Sequence, residues 1–217
     1  MTYPKFFIIG NPKCGTTSLA DWLPRNPDIF ISKDKEPHYF ATDMPDRAYV
    51  SRLDYARLFA GTSEKMSGEA SVWYAYSKQA VPNILKEIPD AKFILCLRHN
   101  ADMAWALHNQ MLATCNEIEA DFSVAWKLSE IRRHGKQVPK LCLDARKLDY
   151  KMACAQGAIA SKIFNIVEPK NIHFVFLEDI AEYPAGEVRK IEKFLGVSIS
   201  NLDSFPVSNK AFERPYP

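Results

Sequence analysis

Three short apolar runs punctuate the chain: Lys5–Gly10 (KFFIIG), Ala91–Leu97 (AKFILCL) and Asn171–Leu177 (NIHFVFL). Each is rich in Ile, Val or Phe and none alternates cleanly with polar residues. That is the pattern of a strand covered on both faces, as in a parallel sheet. A fourth strand is predicted at Asp28–Ser32 (DIFIS), after the turn signal Arg25-Asn26-Pro27. Between these runs the spacing turns helical. Leu19, Trp22 and Leu23 follow Gly15 and stop at Pro24, and Val81, Ile84, Leu85 and Ile88 precede the second run. Ala101–Ala113 follows it with Ala104, Leu107 and Met111 on one face, and Phe122, Ala125, Trp126 and Ser129 predict a helix ending near Gly135. One long helix is predicted over Leu148–Val167 and a last one over Glu187–Leu195, closed by Gly196. Strands alternating with helices predict an α/β fold, a parallel β-sheet flanked by helices. Ligands of such folds bind beyond the carboxyl ends of the strands, so the informative residues should follow Ile9, Leu97 and Leu177.

Length and composition narrow the picture. The 217 residues suit one domain spanning 1–217, and the hydrophobic (47%) and charged (25%) fractions are those of an ordinary folded chain. A net charge of +2 excludes a strongly basic nucleic-acid binder, so no nucleic-acid partner is expected and any anion site must be built locally. No apolar run reaches the ~18 residues of a membrane span. The first residues lack the length and cleavage site of a signal peptide. Five cysteines, Cys14, Cys96, Cys115, Cys142 and Cys154, are scattered without a Cys-x-x-Cys. Neither a disulfide framework nor a metal site is expected, and a cytoplasmic location fits.

The most specific signal follows the first strand: Gly10-Asn11-Pro12-Lys13-Cys14-Gly15-Thr16-Thr17-Ser18. The Gly-x-x-x-x-Gly-x-Thr spacing is that of a P-loop. Its glycines let successive N–H groups face one anion, and the helix that follows adds its positive end. Thr16, Thr17 and Ser18 supply hydroxyl donors. Thr16 stands where a nucleotide triphosphatase has lysine, and the cation has moved to Lys13 inside the loop. The second strand ends in Leu97-Arg98 rather than in a metal-binding aspartate. A magnesium-nucleoside triphosphate is therefore not the natural ligand.

The segment Pro12-Lys13-Cys14-Gly15-Thr16-Thr17-Ser18-Leu19 resembles the 5′-phosphosulfate loop of sulfotransferases that use 3′-phosphoadenosine 5′-phosphosulfate (PAPS). The resemblance looks closest to the bacterial branch related to the heparan sulfate enzymes. It extends through Lys35-Glu36-Pro37-His38-Tyr39-Phe40, Gly68-Glu69-Ala70-Ser71 and the strand and helix around Arg98. It is weaker through Leu148-Asp149-Tyr150 and Leu177-Glu178-Asp179.

The resemblance implies a P-loop-type sulfotransferase fold and a sulfuryl transfer from PAPS to a hydroxyl or amine without a metal. It implies a small-molecule or saccharide acceptor. Pro12 to Ser18 would bind the 5′-phosphosulfate, with Lys13 stabilising the leaving phosphate. Glu36 is the candidate base, and His38 orients the acceptor or stabilises charge. Arg98 would hold the 3′-phosphate. The serine that shares this task in the family is Ala106 here, the usual Asn-Pro after the arginine is His99-Asn100, and a frequent lysine is Ala70. Glu69, Ser71, Trp73 and Tyr74 are candidate acceptor-side residues. His108 reads as a packing residue, and Glu178-Asp179 as a structural pair at the sheet end. The family usually carries a later basic loop over the 3′-phosphate, and in the short tail here only Lys210 and Arg214 could serve. Two alternatives stand at this point: a P-loop nucleotide kinase, and a PAPS-binding protein that has lost turnover.

Overall fold

A computed structural model describes residues 3–62 and 65–206. The strands are β1 (Phe6–Gly10), β2 (Ile29–Ile31), β3 (Met66–Ala70), β4 (Lys92–Leu97) and β5 (Ile172–Phe176). They form one sheet in the order β2-β3-β1-β4-β5, with every pairing parallel. All five residues of β1 are buried, as a central parallel strand requires. Phe7 stacks on Phe93 of β4 and meets Phe40 edge-on, which ties the sheet centre to the segment after β2.

Helices α1 (Thr16–Trp22), α2 (Arg52–Arg57), α3 (Ala80–Glu87), α4 (Asn100–Ala113), α5 (Phe122–Arg133), α6 (Tyr150–Ala153), α7 (Gln156–Phe164), α8 (Leu177–Glu182) and α9 (Pro184–Leu195) complete the described chain. No helix among the described residues is long and apolar enough to cross a membrane. All five cysteines are free thiols. Gly196 closes α9 in the left-handed conformation, as its sequence position predicts.

Four predicted strands are present; β3 is the one the apolar pattern does not reveal. Its sequence, MSGEA, holds Ser67 and Glu69, both fully buried, so internal hydrogen bonds replace apolar contacts there. The predicted helix over Leu148–Val167 is broken. A 3₁₀ turn at Ala145–Leu148 leads into α6, and α7 starts anew at Gln156. Asp149 caps the start of α6, its carboxylate accepting from Met152 N and from Arg133. The break itself falls at Cys154–Ala155, where Ala155 leaves the helical conformation with ψ 48°. Helices α2 and α8 carry too few residues to show a period; Ser51 caps α2 by accepting from Asp54 N.

Candidate functional site

One cleft of about 680 Å³ opens beyond the carboxyl ends of the strands. Every strand end contributes to it: Pro12, Lys13 and Gly15 to Ser18 after β1, Lys35 and Glu36 after β2, Val72 and Trp73 after β3, Arg98 after β4 and Leu177 after β5. This is where the topology of a parallel sheet places a ligand site.

The loop after β1 is shaped by two glycines. A side chain on Gly10 would run into the backbone of Cys96 at 2.4 Å, so β1 and β4 approach this closely only with glycine there. Gly15 adopts φ 82° as the N-cap of α1, a conformation glycine takes without strain. Lys13 between them has φ 63°, uncommon for a residue with a side chain. Its amine is half-buried, and its pKa lies below the usual lysine value because of burial first and the charges of Arg98 and Lys35 second.

Arg98 is tied to this loop. Its Nη1 donates to the Lys13 carbonyl at 3.2 Å. Its backbone is clasped by Gln156, whose Oε1 accepts from Arg98 N at 3.0 Å while Nε2 donates to Arg98 O at 2.6 Å. The same Oε1 accepts from Asn11 Nδ2 at 3.0 Å, so one carboxamide joins the ends of β1 and β4. Lys35 Nζ donates to Thr17 Oγ1, and its pKa is lowered by burial despite the nearby Glu36 and Asp21 charges. Lys13, Lys35 and Arg98 thus line the cleft together with Thr16, Thr17 and Ser18.

The cleft also holds an acid and an imidazole. His38 Nε2 lies 2.6 Å from Glu36 Oε2, which also accepts from Val72 N at 3.0 Å. The His38 side chain is 5% exposed and that of Glu36 33%. Burial opposes a charge on His38, but the hydrogen bond and charge of Glu36, with a contribution from Asp46, raise its pKa above the usual histidine value. Asp46 is ion-paired with Lys147, whose Nζ stands 5.7 Å from the centre of the Trp73 ring. Gln110, Met111, Thr114 and Asn116 line the cleft from α4 and the turn after it.

The cleft therefore brings together Pro12, Lys13, Gly15, Thr16, Thr17, Ser18, Glu36, His38 and Arg98 from the residues singled out in the sequence. Cys14 is buried under the loop, with its thiol directed at Pro12 O, and does not line the cleft. Ala106 is 8% exposed on α4 and is not among the lining residues, whereas its neighbour Leu107 is. Of the candidate acceptor-side residues, Trp73 lines the cleft. Glu69, Ser71 and Tyr74 do not: they are buried beneath it, bonded to one another. His108 packs against Phe122 and Tyr150 and bonds Glu119 O, as a packing residue should. Glu178 accepts from His99 N at 2.9 Å, a structural role. Lys210 and Arg214 lie outside the described residues.

Sequence reading passed over Lys35, Asp46, Lys147 and Gln156. Lys35 was legible in principle, being next to Glu36, but it sits in the charge run Lys33-Asp34-Lys35-Glu36. Asp46 and Lys147 meet across 101 residues of chain, and no local pattern announces the pair.

The parallel sheet, the glycine loop and the cationic cleft at the strand ends define an α/β fold of the P-loop type. The sulfotransferase domain family matches residues 3–210, and the chain belongs to that family. It is 26% identical over 206 residues to human heparan sulfate glucosamine 3-O-sulfotransferase 6, covering 90% of this chain and 53% of the relative. The chain spans about half the length of the heparan sulfate 3-O-sulfotransferases it matches. A sulfotransferase from Alicyclobacillus acidocaldarius superposes with a TM-score of 0.85 at 26% identity, covering 97% of this chain and 87% of that one. A mouse sulfotransferase complexed with PAP shares the fold at TM-score 0.59 and 15% identity, covering 93% of this chain and 61% of that one.

Proposed function

We propose that this protein transfers a sulfuryl group from PAPS to a hydroxyl or amine on a saccharide or small molecule. The observation that carries the reading is that one cleft brings three cations, Lys13, Lys35 and Arg98, together with an acid–imidazole pair, Glu36 and His38. The donor set fits a phosphosulfate: three cations, three hydroxyls and a glycine loop suit a multiply charged anion.

PAPS supplies the sulfuryl group and the leaving 5′-phosphate. Pro12 to Ser18, including the backbone of Cys14, form the cradle, and Lys13 neutralises charge as it gathers on the leaving phosphate. Glu36 would take the acceptor's proton as the sulfuryl group passes to the acceptor oxygen or nitrogen and the bridging oxygen stays on the departing phosphate. His38 donates to the Glu36 carboxylate and holds its second oxygen in place. Arg98 takes the 3′-phosphate at the start of α4, where Ala106 leaves no hydroxyl to help. The acceptor side pairs Lys147 with Asp46, so these two charges are internally balanced. That suits an acceptor recognised by hydroxyls and ring faces. The working unit is taken as one domain over 1–217, metal-free and cytoplasmic.

The test is calorimetry with 3′-phosphoadenosine 5′-phosphate (PAP), followed by sulfate transfer from labelled PAPS to a panel of saccharide, phenol and amine acceptors. Binding followed by label transfer supports the reading. Binding without transfer to any acceptor favours a protein that holds PAPS without turnover, and failure to bind PAP refutes the cofactor.

A further inference from the structure

Glu69 is the most deeply buried carboxyl near the cleft, fully enclosed on β3, and the mechanism above gives it no task. Among the described residues no cation is ion-paired with it. Its partners are three hydroxyls: Tyr55 at 2.6 Å and Tyr74 at 2.9 Å on Oε1, and Ser71 at 2.8 Å on Oε2. Two of these hydroxyls continue outward. Ser71 Oγ accepts from His38 N at 3.3 Å, and Tyr74 Oη accepts from Phe40 N at 3.2 Å. Tyr55 has no such arm; its ring stacks on Tyr39 and meets Phe40 edge-on.

The segment held by these arms is unusual. Glu36 and His38 have φ 55° and 52°, left-handed conformations that residues with side chains avoid. Such conformations persist only where the surroundings over-determine them. The direction of the bonds matters here. Ionised, as it is above a pH of about 7, the Glu69 carboxylate only accepts, so it draws the hydroxyl protons of Ser71 and Tyr74 inward and leaves their lone pairs facing the N–H groups of His38 and Phe40.

We propose that Glu69 is a positioning residue for sulfuryl transfer, setting the hydroxyls of Ser71 and Tyr74 as acceptors that fix the backbone carrying Glu36 and His38. The inference rests on the reading of Glu36 and His38 as the acceptor-side machinery. An amide at position 69 keeps the shape but offers N–H groups to one side. One hydroxyl must then turn its proton outward, toward a backbone N–H, and that arm fails.

The experiment compares Glu69→Gln with Tyr55→Phe. Both disturb the same buried carboxyl; only the first disturbs the arms. Glu69→Gln should lower kcat about tenfold or more while PAP affinity by calorimetry stays within about twofold. Tyr55→Phe should keep kcat within about twofold. In a Glu36→Gln background, Glu69→Gln should lower kcat by less than about twofold further, because the group it positions is already gone. Equal losses in the two single variants, an undiminished kcat in Glu69→Gln, or a fully multiplicative loss in the double variant would overturn the inference. If Glu69→Gln does not fold, Ser71→Ala and Tyr74→Phe cut one arm each, and both must lower kcat at unchanged PAP affinity. A near-wild-type kcat in Glu36→Gln refutes the base assignment alone; the contrast between Glu69 and Tyr55 still decides the positioning role.

Discussion

His38 Nε2 lies 2.6 Å from Glu36 Oε2, and both residues, separated by a single proline, take left-handed backbone. The other Glu36 contact, from Val72 N, also falls on Oε2, which leaves Oε1 for an acceptor. Glu36→Gln preserves this shape and removes basicity. The expected result is a kcat lower by about 10²- to 10⁴-fold and loss of the acidic limb of the pH–rate profile. PAP affinity should be nearly unchanged, since the three cations are intact. Steady-state rates across pH, with calorimetry alongside, check this; a near-wild-type kcat moves the base to another group.

Lys13, Lys35 and Arg98 oppose one another electrostatically, and burial and its two cationic neighbours already depress the Lys13 pKa. A bound anion relieves that repulsion. PAP should therefore raise the melting temperature, and the gain should shrink as salt rises. Lys13→Ala should lower kcat by about two to three orders of magnitude, as for the loss of one oxyanion donor, with a smaller fall in PAP affinity. Unchanged turnover in that variant removes Lys13 from the chemistry.

What the sequence made legible follows from how local each feature is. The runs around Phe6–Ile9 and Phe93–Leu97 show their strands because both faces are apolar. The loop from Gly10 to Ser18 shows its chemistry because an anion cradle is contiguous in sequence. Strand β3 stayed hidden because Glu69 is solvated by hydroxyls from α2 and from the turn after β3, which only folding brings to it. The break at Cys154–Ala155 stayed hidden because neither position is a glycine or proline. Lys147 joins Asp46 and Trp73 through tertiary contacts that no period or spacing encodes.

Glu69 also predicts a pH dependence of stability. Burial pushes its pKa up to about 7 from 4.5, against the opposing hydrogen bonds of Tyr55, Ser71 and Tyr74 and the charge of His38. Between these values the folded chain holds a proton that the unfolded chain releases. Stability from this group is present below pH 4.5 and is lost as pH rises toward 7, a change of about 3 kcal/mol at most. His38, whose pKa is also raised, acts in the same direction. Glu69→Gln should flatten this part of the stability profile, measured by urea unfolding from pH 4.5 to 8. A wild-type slope that survives the substitution assigns the effect to another group.

Gln156 offers the last prediction. Its carboxamide accepts from Asn11 Nδ2 and Arg98 N and donates to Arg98 O and Asn100 Oδ1, so every hydrogen-bonding site on it is used. Gln156→Glu is nearly isosteric but turns both donors into an acceptor, which then faces the Arg98 carbonyl and Asn100 Oδ1. Arg98 should lose its fixed backbone while keeping its charge. Affinity for PAP should fall about tenfold, the scale of one or two unmade buried hydrogen bonds. Affinity for adenosine 5′-phosphosulfate, which lacks a 3′-phosphate, should change less, because Arg98 touches the cradle through the Lys13 carbonyl, a brace and not an anion contact. Arg98→Ala should reproduce the same discrimination in larger measure. Equal losses for both ligands in Arg98→Ala would place the 3′-phosphate elsewhere. Equal losses confined to Gln156→Glu would mean that the amide braces the whole loop through Asn11 rather than Arg98 alone.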